Sequence, residues 1–376
     1  METRKNNSGI SIHLKNGADV ASVQRNFFEY VRMLGVDQAV EALIDAGEQY
    51  AGFFLEAEFQ HAWTPNCDTL KLCEILGINS LTNDSDLERE IVLTMLASPV
   101  IFEYPSFTEF AASVRVRMNI VKAARNTSLA FGTSKIERPV DYWTYSENRG
   151  FILLPGKPLI DALQKTTQPC PAGKKYSFSC YRATEYVILL GIALELEERN
   201  PELLQRLQLQ WEARAIMSRQ FHAVFLREHG STSEPVPLKY FVPGDRVWFR
   251  NPDERSSDVA GYEGSWVIYI GGGLFANFWQ SDSPYTLESK CIEIYHWRNG
   301  VSRKADGDLW IDETVVERHV RASMSDADEI KYILEKMLCP RDLSGIYADG
   351  GCMDLSREFP RWLCPGTTDI NLPTEF

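Results

Sequence analysis

Lys174–Asn200 reads KKYSFSCYRATEYVILLGIALELEERN, and its reading decides the fold. Tyr176–Ser179 has the alternation of a short extended run. It ends at Cys180, where a helical pattern begins with Tyr186, Val187, Leu189, Leu190, Ile192, Ala193, Leu194 and Leu196. A thiol in the first turn of a buried helix faces unpaired backbone N–H groups and the positive end of the helix dipole. Both favour the thiolate, so the position lowers the cysteine pKa and makes Cys180 a candidate nucleophile. The competing reading is a structural cysteine, because free cysteine is among the most buried residue types.

Upstream, Ser106–Asn126 reads as a long amphipathic helix, and Asp141–Leu154 as strand around a turn at Asn148–Gly150. Downstream, Asn200-Pro201-Glu202 is a helix start, with Asn as N-cap and Pro in the first turn, and the pattern predicts one helix to about Glu228. From Leu238 the pattern turns to strands: Arg246–Arg250, Ser265–Ile270, Leu274–Trp279 and Cys291–Trp297. A helical half followed by an antiparallel half is an α+β arrangement. Three helices, Ala18–Leu34, Asp37–Trp63 and Thr69–Leu76, precede a polar break at Thr82–Asp86. Two more, Ile311–Ala322 and Asp326–Leu338, follow the strands. The expected organisation is a helical N-terminal addition over 1–86, a core over 87–300 and a C-terminal addition over 301–376.

The 376 residues are 44% hydrophobic and 11% aromatic, enough to bury a sizeable core. A net charge of −13 argues against a grip on nucleic acid by phosphate neutralisation and against adhesion to anionic membranes. The longest apolar run, Tyr186–Leu194, is too short to cross a bilayer, and Met1–Ser11 carries no apolar signal core. Eight dispersed cysteines without a C-x-x-C fit reduced thiols in a cytoplasmic protein, with a disulfide among Cys339, Cys352 and Cys364 left open.

Several features invite sharper readings. Gly271–Gly273 has no following helix and no Lys-Ser/Thr, so a hairpin turn is preferred to a phosphate loop. His222 and His229 are spaced to share one helix face, but without a third ligand no metal site is expected. Arg115, Arg117, Lys122 and Arg125 make a basic helix face, either solvated or set against acidic neighbours.

A cysteine on a helix N-terminus with its partner on a following sheet is the papain-like plan. The base would come from the strand half, whose polar candidates are Asp245, Asp253, Glu254, Asp258, Glu263, Asn277, Glu288, Glu293 and His296. Several stretches in collinear order carry a resemblance: Ser98–Tyr104, Val116–Val121 with Ala123-Ala124, Tyr142-Trp143, Tyr176–Cys180, Gly244-Asp245, Phe249, Asn251-Pro252, Gly264 and Val267-Ile268. Together, over about residues 88–297, they resemble the small bacterial protein-glutamine gamma-glutamyltransferase of spore coats.

That family attacks a glutamine carboxamide with cysteine, releases ammonia and passes the acyl group to an amine. The resemblance implies a papain-like core, Cys180 as nucleophile, and no cofactor, calcium included. Three positions depart from the family. Its glutamate before the cysteine is Ser179, its catalytic carboxylate is Ser265, and its histidine is Asn277. Residues i and i+2 of a strand share a face, so Glu263 stands in as the expected base, with Asn277 orienting it. Trp279, Trp266 and Tyr142 are candidate walls of the substrate site, and the Cys180 N–H a candidate oxyanion donor. The expected partners are a glutamine-containing protein or small-molecule acyl donor and an amine acceptor, with neither nucleic acid nor membrane. The alternatives are a thiol amidase or deamidase using water, and an inactive relative acting as a binding module.

Overall fold

The computed structural model describes residues 8–13, 20–45, 50–132, 137–170, 173–305, 307–342 and 351–373. The chain begins with strand β1 (Ile10–His13) and helix α1 (Val20–Met33), which buries Val23, Phe27 and Val31 along one face. Strands β2 (Val40–Asp45) and β3 (Tyr50–Leu55) follow, then helices α2 (Ala57–Trp63), α3 (Leu72–Leu76) and α4 (Asp84–Leu96) and strand β4 (Phe102–Tyr104). The four strands form a sheet in the order β2-β3-β1-β4, with β1 antiparallel to β3 and parallel to β4.

Of the three helices expected in the N-terminal segment, Ala18–Leu34 and Thr69–Leu76 contain α1 and α3, whereas Asp37–Trp63 is not one helix. Within Asp37–Trp63, Val40–Asp45 and Tyr50–Leu55 form a strand pair and only Ala57–Trp63 is α-helix, while residues 46–49 lie outside the described residues. Ala51, Phe53 and Leu55 alternate with period two, and a short apolar run satisfies either period. Pairing of β3 with both β1 and β2 selects the strand. The polar break at Thr82–Asp86 is a helix start, with the Asn83 side chain accepting from the N–H groups of Ser85 and Asp86.

Helix α5 (Phe107–Asn126), capped by Ser106, and helix α7 (Cys180–Arg199) pack against each other at the centre. Between them run β5 (Ala130–Phe131), the hairpin of β6 (Trp143–Ser146) and β7 (Gly150–Leu153), α6 (Leu159–Thr167) and β8 (Ser177–Phe178). Gly191 permits the close crossing: a Cβ there would lie 2.4 Å from Ile120 Cγ1 and 2.9 Å from the Ile120 backbone nitrogen. The expected single helix from Pro201 divides into α8 (Pro201–Ala213), α9 (Ser218–Phe225) and strand β9 (Leu226–His229). Arg214 turns to extended backbone and ends α8. His222 and His229 thus stand on different elements, and His229 stacks on Phe102 at 3.8 Å and bonds the Ser98 hydroxyl at 2.9 Å.

The remaining elements are β10 (Arg246–Arg250), α10 (Glu254–Ser257), β11 (Gly264–Gly271), β12 (Leu274–Phe275), β13 (Tyr285–Thr286), α11 (Leu287–Gly300), β14 (Val301–Arg303), β15 (Leu309–Ile311), α12 (Glu313–Ser323), α13 (Ala327–Met337) and β16 (Arg357–Pro360). The main sheet runs β13-β12-β11-β10-β16-β9, every pair antiparallel. Ile268 and Ile270 join the core of the central helices, whereas Val267 and Tyr269 join a second core with Cys291 and Ile292 of α11. Cys291–Trp297, expected as strand, lies inside α11, which starts at a capping box between Thr286 and Ser289. The C-terminal segment is also more than an addition, since β16 sits between β10 and β9.

The basic face of α5 is set against acidic and carbonyl partners. Arg117 pairs with Asp245 at 2.7 Å, Arg115 with Glu195 at 2.7 Å and Lys122 with Asp84 at 2.6 Å, while Arg125 donates to Ile270 O. Gly271–Gly273 is the turn joining β11 to β12, with positive φ at all three positions. The buried Glu90 carboxylate accepts the Gly272 N–H at 3.0 Å and the Tyr269 hydroxyl at 3.0 Å. All eight cysteines are free thiols, which answers the question of a C-terminal disulfide. Among the described residues no helix is long and apolar enough to cross a membrane.

Candidate active site

Ser179 caps α7 by accepting the Arg182 N–H at 3.3 Å, which makes Cys180 the first helical residue. The thiol lies 3.9 Å from the carbonyl oxygen of Gly264, where β11 begins. Cys180 and Gly264 face a cavity of about 660 Å³ bounded by the helix start, the β6–β7 hairpin and the ends of β10 and β11. One wall is aromatic. Trp248 and Trp266 are direct cross-strand neighbours, stacked at 5.9 Å, and Tyr181 meets Trp266 edge-on at 5.5 Å. The Arg246 guanidinium lies 4.0 Å from the Trp266 ring centroid and 4.4 Å from that of Tyr181.

The helix terminus does not lower the thiol pKa as expected. Burial pushes Cys180 up, and the backbone N–H of Trp266, the Lys290 charge, the Tyr181 N–H and the Arg246 charge only partly offset it. Partial burial of the sulfur thus outweighs the donors at the helix start. Lys290 is itself buried, with its ammonium 3.3 Å from the Glu293 carboxylate and 4.0 Å from the Tyr285 ring centroid. The Tyr285 phenol is pushed far up, first by burial and then by Glu293, with a smaller contribution from Cys180.

Of the expected site residues, Cys180, Glu263 and Trp266 come together around the cavity. The Glu263 carboxylate accepts the Gly261 N–H at 3.1 Å, turned back on its own loop. The alternation argument that equated Glu263 with Ser265 fails because β11 starts at Gly264, one residue after Glu263. Ser265 is buried opposite Phe249 on the other side of the sheet, while Glu263 borders the cavity.

Asn277, Trp279 and Tyr142 do not line the cavity. The Asn277 side chain holds a turn, accepting the N–H groups of Trp279 and Gln280 and donating to Ser283 O at 3.0 Å. Trp279 packs edge-on against Phe131 at 5.4 Å, and Tyr142 lies against the core beneath the Lys157 ammonium. Sequence reasoning misses Trp248, Tyr181, Glu147 and Arg138. Trp248 is recoverable, because setting Arg246–Arg250 against Gly264–Ile268 puts it directly across from Trp266. Nothing local marks Arg138 or Glu147, which reach the cavity through the β6–β7 region.

A family model described as protein-glutamine gamma-glutamyltransferase matches residues 75–340. The protein-glutamine gamma-glutamyltransferase of Halalkalibacterium halodurans is 25% identical over 210 residues, which are 53% of this chain and 66% of that protein. That of Bacillus licheniformis is 26% identical over 201 residues, 52% of this chain and 74% of that protein. A solved structure, the transglutaminase from Geobacillus stearothermophilus without its C-terminal extension, covers 57% of this chain and 98% of its own at 19% identity and a TM-score of 0.39. With the family model spanning well over half of its length, the chain belongs to the protein-glutamine gamma-glutamyltransferase family.

Proposed function

We propose that the chain is a cysteine-dependent acyltransferase with a papain-like core, which moves the acyl group of a glutamine-type carboxamide to an amine. The observation that carries this reading is Cys180 at the first position of α7, its sulfur 3.9 Å from Gly264 O and open to a cavity. Glu147 and Glu263 are the carboxylates bordering that cavity. Glu263 takes the thiol proton once its exposed side chain swings off Gly261. Lys290 and Arg246 steady the thiolate that results. The sulfur attacks the carboxamide carbon, and the carbonyl π electrons move to oxygen, beside the backbone N–H of Cys180. Collapse breaks the C–N bond, and ammonia leaves with the proton that Glu263 had taken. An amine then attacks the thioester, the thiolate departs, and Glu263 accepts the amine's proton. Trp248, Trp266 and Tyr181 exclude water from the thioester, which favours the amine as acceptor.

The test is incorporation of a fluorescent primary alkylamine into a glutamine-containing casein, with ammonia release followed in parallel. Both signals should vanish in Cys180→Ala while the circular dichroism spectrum is retained. Ammonia release without amine incorporation would replace this reading by a hydrolytic amidase. A chain that neither incorporates amine nor releases ammonia, and whose Cys180 forms no thioester, would be an inactive relative that binds.

A further inference from the structure

Arg138 borders the same cavity as Cys180 and is 7% exposed. Buried arginines normally meet a carboxylate. Among the described residues, Arg138 meets none. Its Nη1 donates to two backbone carbonyls, Glu137 O at 2.6 Å and Ser177 O at 3.4 Å, and its buried Nε finds no hydrogen-bond partner among those residues. Around it lie the rings of Phe178, 3.5 Å from the guanidinium carbon, and of Phe151 and Tyr186, each at 4.8 Å, and the Tyr186 hydroxyl is a further polar neighbour. Burial lowers its pKa, the Tyr186 hydroxyl offsets this in part, and the neighbouring Arg182 acts in the same direction as burial. Arg182 has its own acid, Glu185, at 2.9 Å. Among the described residues, then, the charge of the Arg138 guanidinium in the cavity wall is answered by its pocket of rings and by no anion.

We propose that Arg138 is an anion-binding subsite for the acyl donor, which selects glutamine-type donors carrying a carboxylate near the reactive carboxamide. A planar guanidinium whose carbon sits 3.5 Å over the Phe178 ring is held in place for a carboxylate, and its burial strengthens the pairing. The carboxylate is either an acidic side chain flanking the glutamine or a free chain terminus. This inference rests on the acyl-transfer reading above, and its test separates the two.

Two N-blocked glutaminyl-glycine donors are compared on the full chain, one ending in a free carboxylate and the other in a carboxamide. An N-blocked glutamyl-glutamine carboxamide forms the third arm, and tells a flanking acidic side chain from a terminal carboxylate. The acid-bearing donors should show a kcat/KM roughly tenfold above the neutral donor, carried by KM, and the ratio should shrink as salt is added. In Arg138→Gln the ratio should fall to near one, and in Arg138→Lys it should be restored in part. Equal kcat/KM for all three donors in the wild type, or a ratio that survives in Arg138→Gln, overturns the subsite and leaves the acyl-transfer reading intact. If Arg138→Gln does not fold, calorimetric binding of the same donors to Cys180→Ser decides. Tighter binding of the acid-bearing donors supports the subsite even where turnover is absent, and equal binding overturns it.

Discussion

Arg117 and Asp245 lie 128 residues apart and form a fully buried ion pair at 2.7 Å. The pair joins the long helix α5 to the turn that starts β10. Arg117 also donates to Pro243 O at 3.2 Å, and Asp245 accepts the Val242 N–H at 2.7 Å. Gly244 is required between them: its φ is +90°, and a Cβ there would press on Arg117 Cα at 3.0 Å. Arg117→Met leaves a carboxylate buried without its counter-charge, which should cost about 3–5 kcal/mol in urea unfolding. Arg117→Met combined with Asp245→Asn removes both charges and should recover at least half of that loss. A double variant as unstable as the single one would show that the pair acts through packing alone.

The chain ends are woven into the core. Phe27 and Phe53 stack at 3.8 Å, and Phe27 meets Phe110 of α5 at 5.2 Å. At the other end, the buried Glu109 carboxylate accepts the N–H groups of Leu363 at 2.6 Å and Cys364 at 3.0 Å and the Thr367 hydroxyl at 2.6 Å. The Asn200 amide donates to Leu363 O at 2.7 Å. Residues 87–300 expressed alone would expose Phe110, orphan Glu109 and leave β9 and β10 without the strand between them. That fragment should aggregate or lack a cooperative thermal transition, whereas the full chain should unfold in one. A soluble fragment with a sharp transition would contradict this.

Stability should fall on the acid side because of His229. Burial, together with the nearby Arg117 and Arg357 charges, holds its pKa well below the ordinary histidine value. The folded state therefore stays neutral where the unfolded chain takes up a proton. Unfolded chains bind the extra proton below about pH 6.5, so stability is complete above that pH and declines as pH falls. His296, lowered to about 4 chiefly by burial, adds in the same direction. Each such group contributes up to about 1.4 kcal/mol per pH unit in that window. His229→Gln should be less stable at pH 7.5 but show a shallower loss between about pH 6.5 and 5. An unchanged slope would assign the acid sensitivity to other groups.

The sequence reading succeeds where a pattern is local. Cys180 at a capped helix start, the 20-residue helix behind it and the β10–β11 strands all follow from spacing and capping. It fails where distant pairing chooses between two local options. Tyr50–Leu55 is a strand because β1 lies beside it, and Cys291–Trp297 is helix because Thr286 and Ser289 close a capping box ahead of it. Strand β16 enters the sheet between β10 and β9 only through tertiary contact, and no local signal marks its place. Asn277, Trp279 and Tyr142 fall outside the cavity lining. Matched order along the chain, which suggests Asn277 and Tyr142, does not fix a side chain's direction, because that depends on where its strand begins and which turn it holds.

In the proposed mechanism Lys290 and Glu263 act on Cys180 at different steps, so their roles can be tested separately. At rest the thiol is pushed up by burial, and the Lys290 charge is one of the effects that lower it. Alkylation by iodoacetamide should therefore rise at higher pH than for an ordinary cysteine, and Lys290→Met should move the profile further to the alkaline side. Glu263 is engaged with the Gly261 N–H at rest. Glu263→Gln should leave the alkylation profile close to that of the wild type, yet lower the rate of acylation by a glutamine donor roughly a hundredfold, the scale of a lost general base. Stopped-flow measurement of ammonia release in the first turnover separates acylation from later steps. Acylation within a few-fold of wild type in Glu263→Gln would remove Glu263 as the base and turn attention to Glu147, the other carboxylate bordering the cavity. A Lys290→Met profile that coincides with the wild type would mean that the backbone N–H groups of Trp266 and Tyr181, with Arg246, suffice to hold the thiolate.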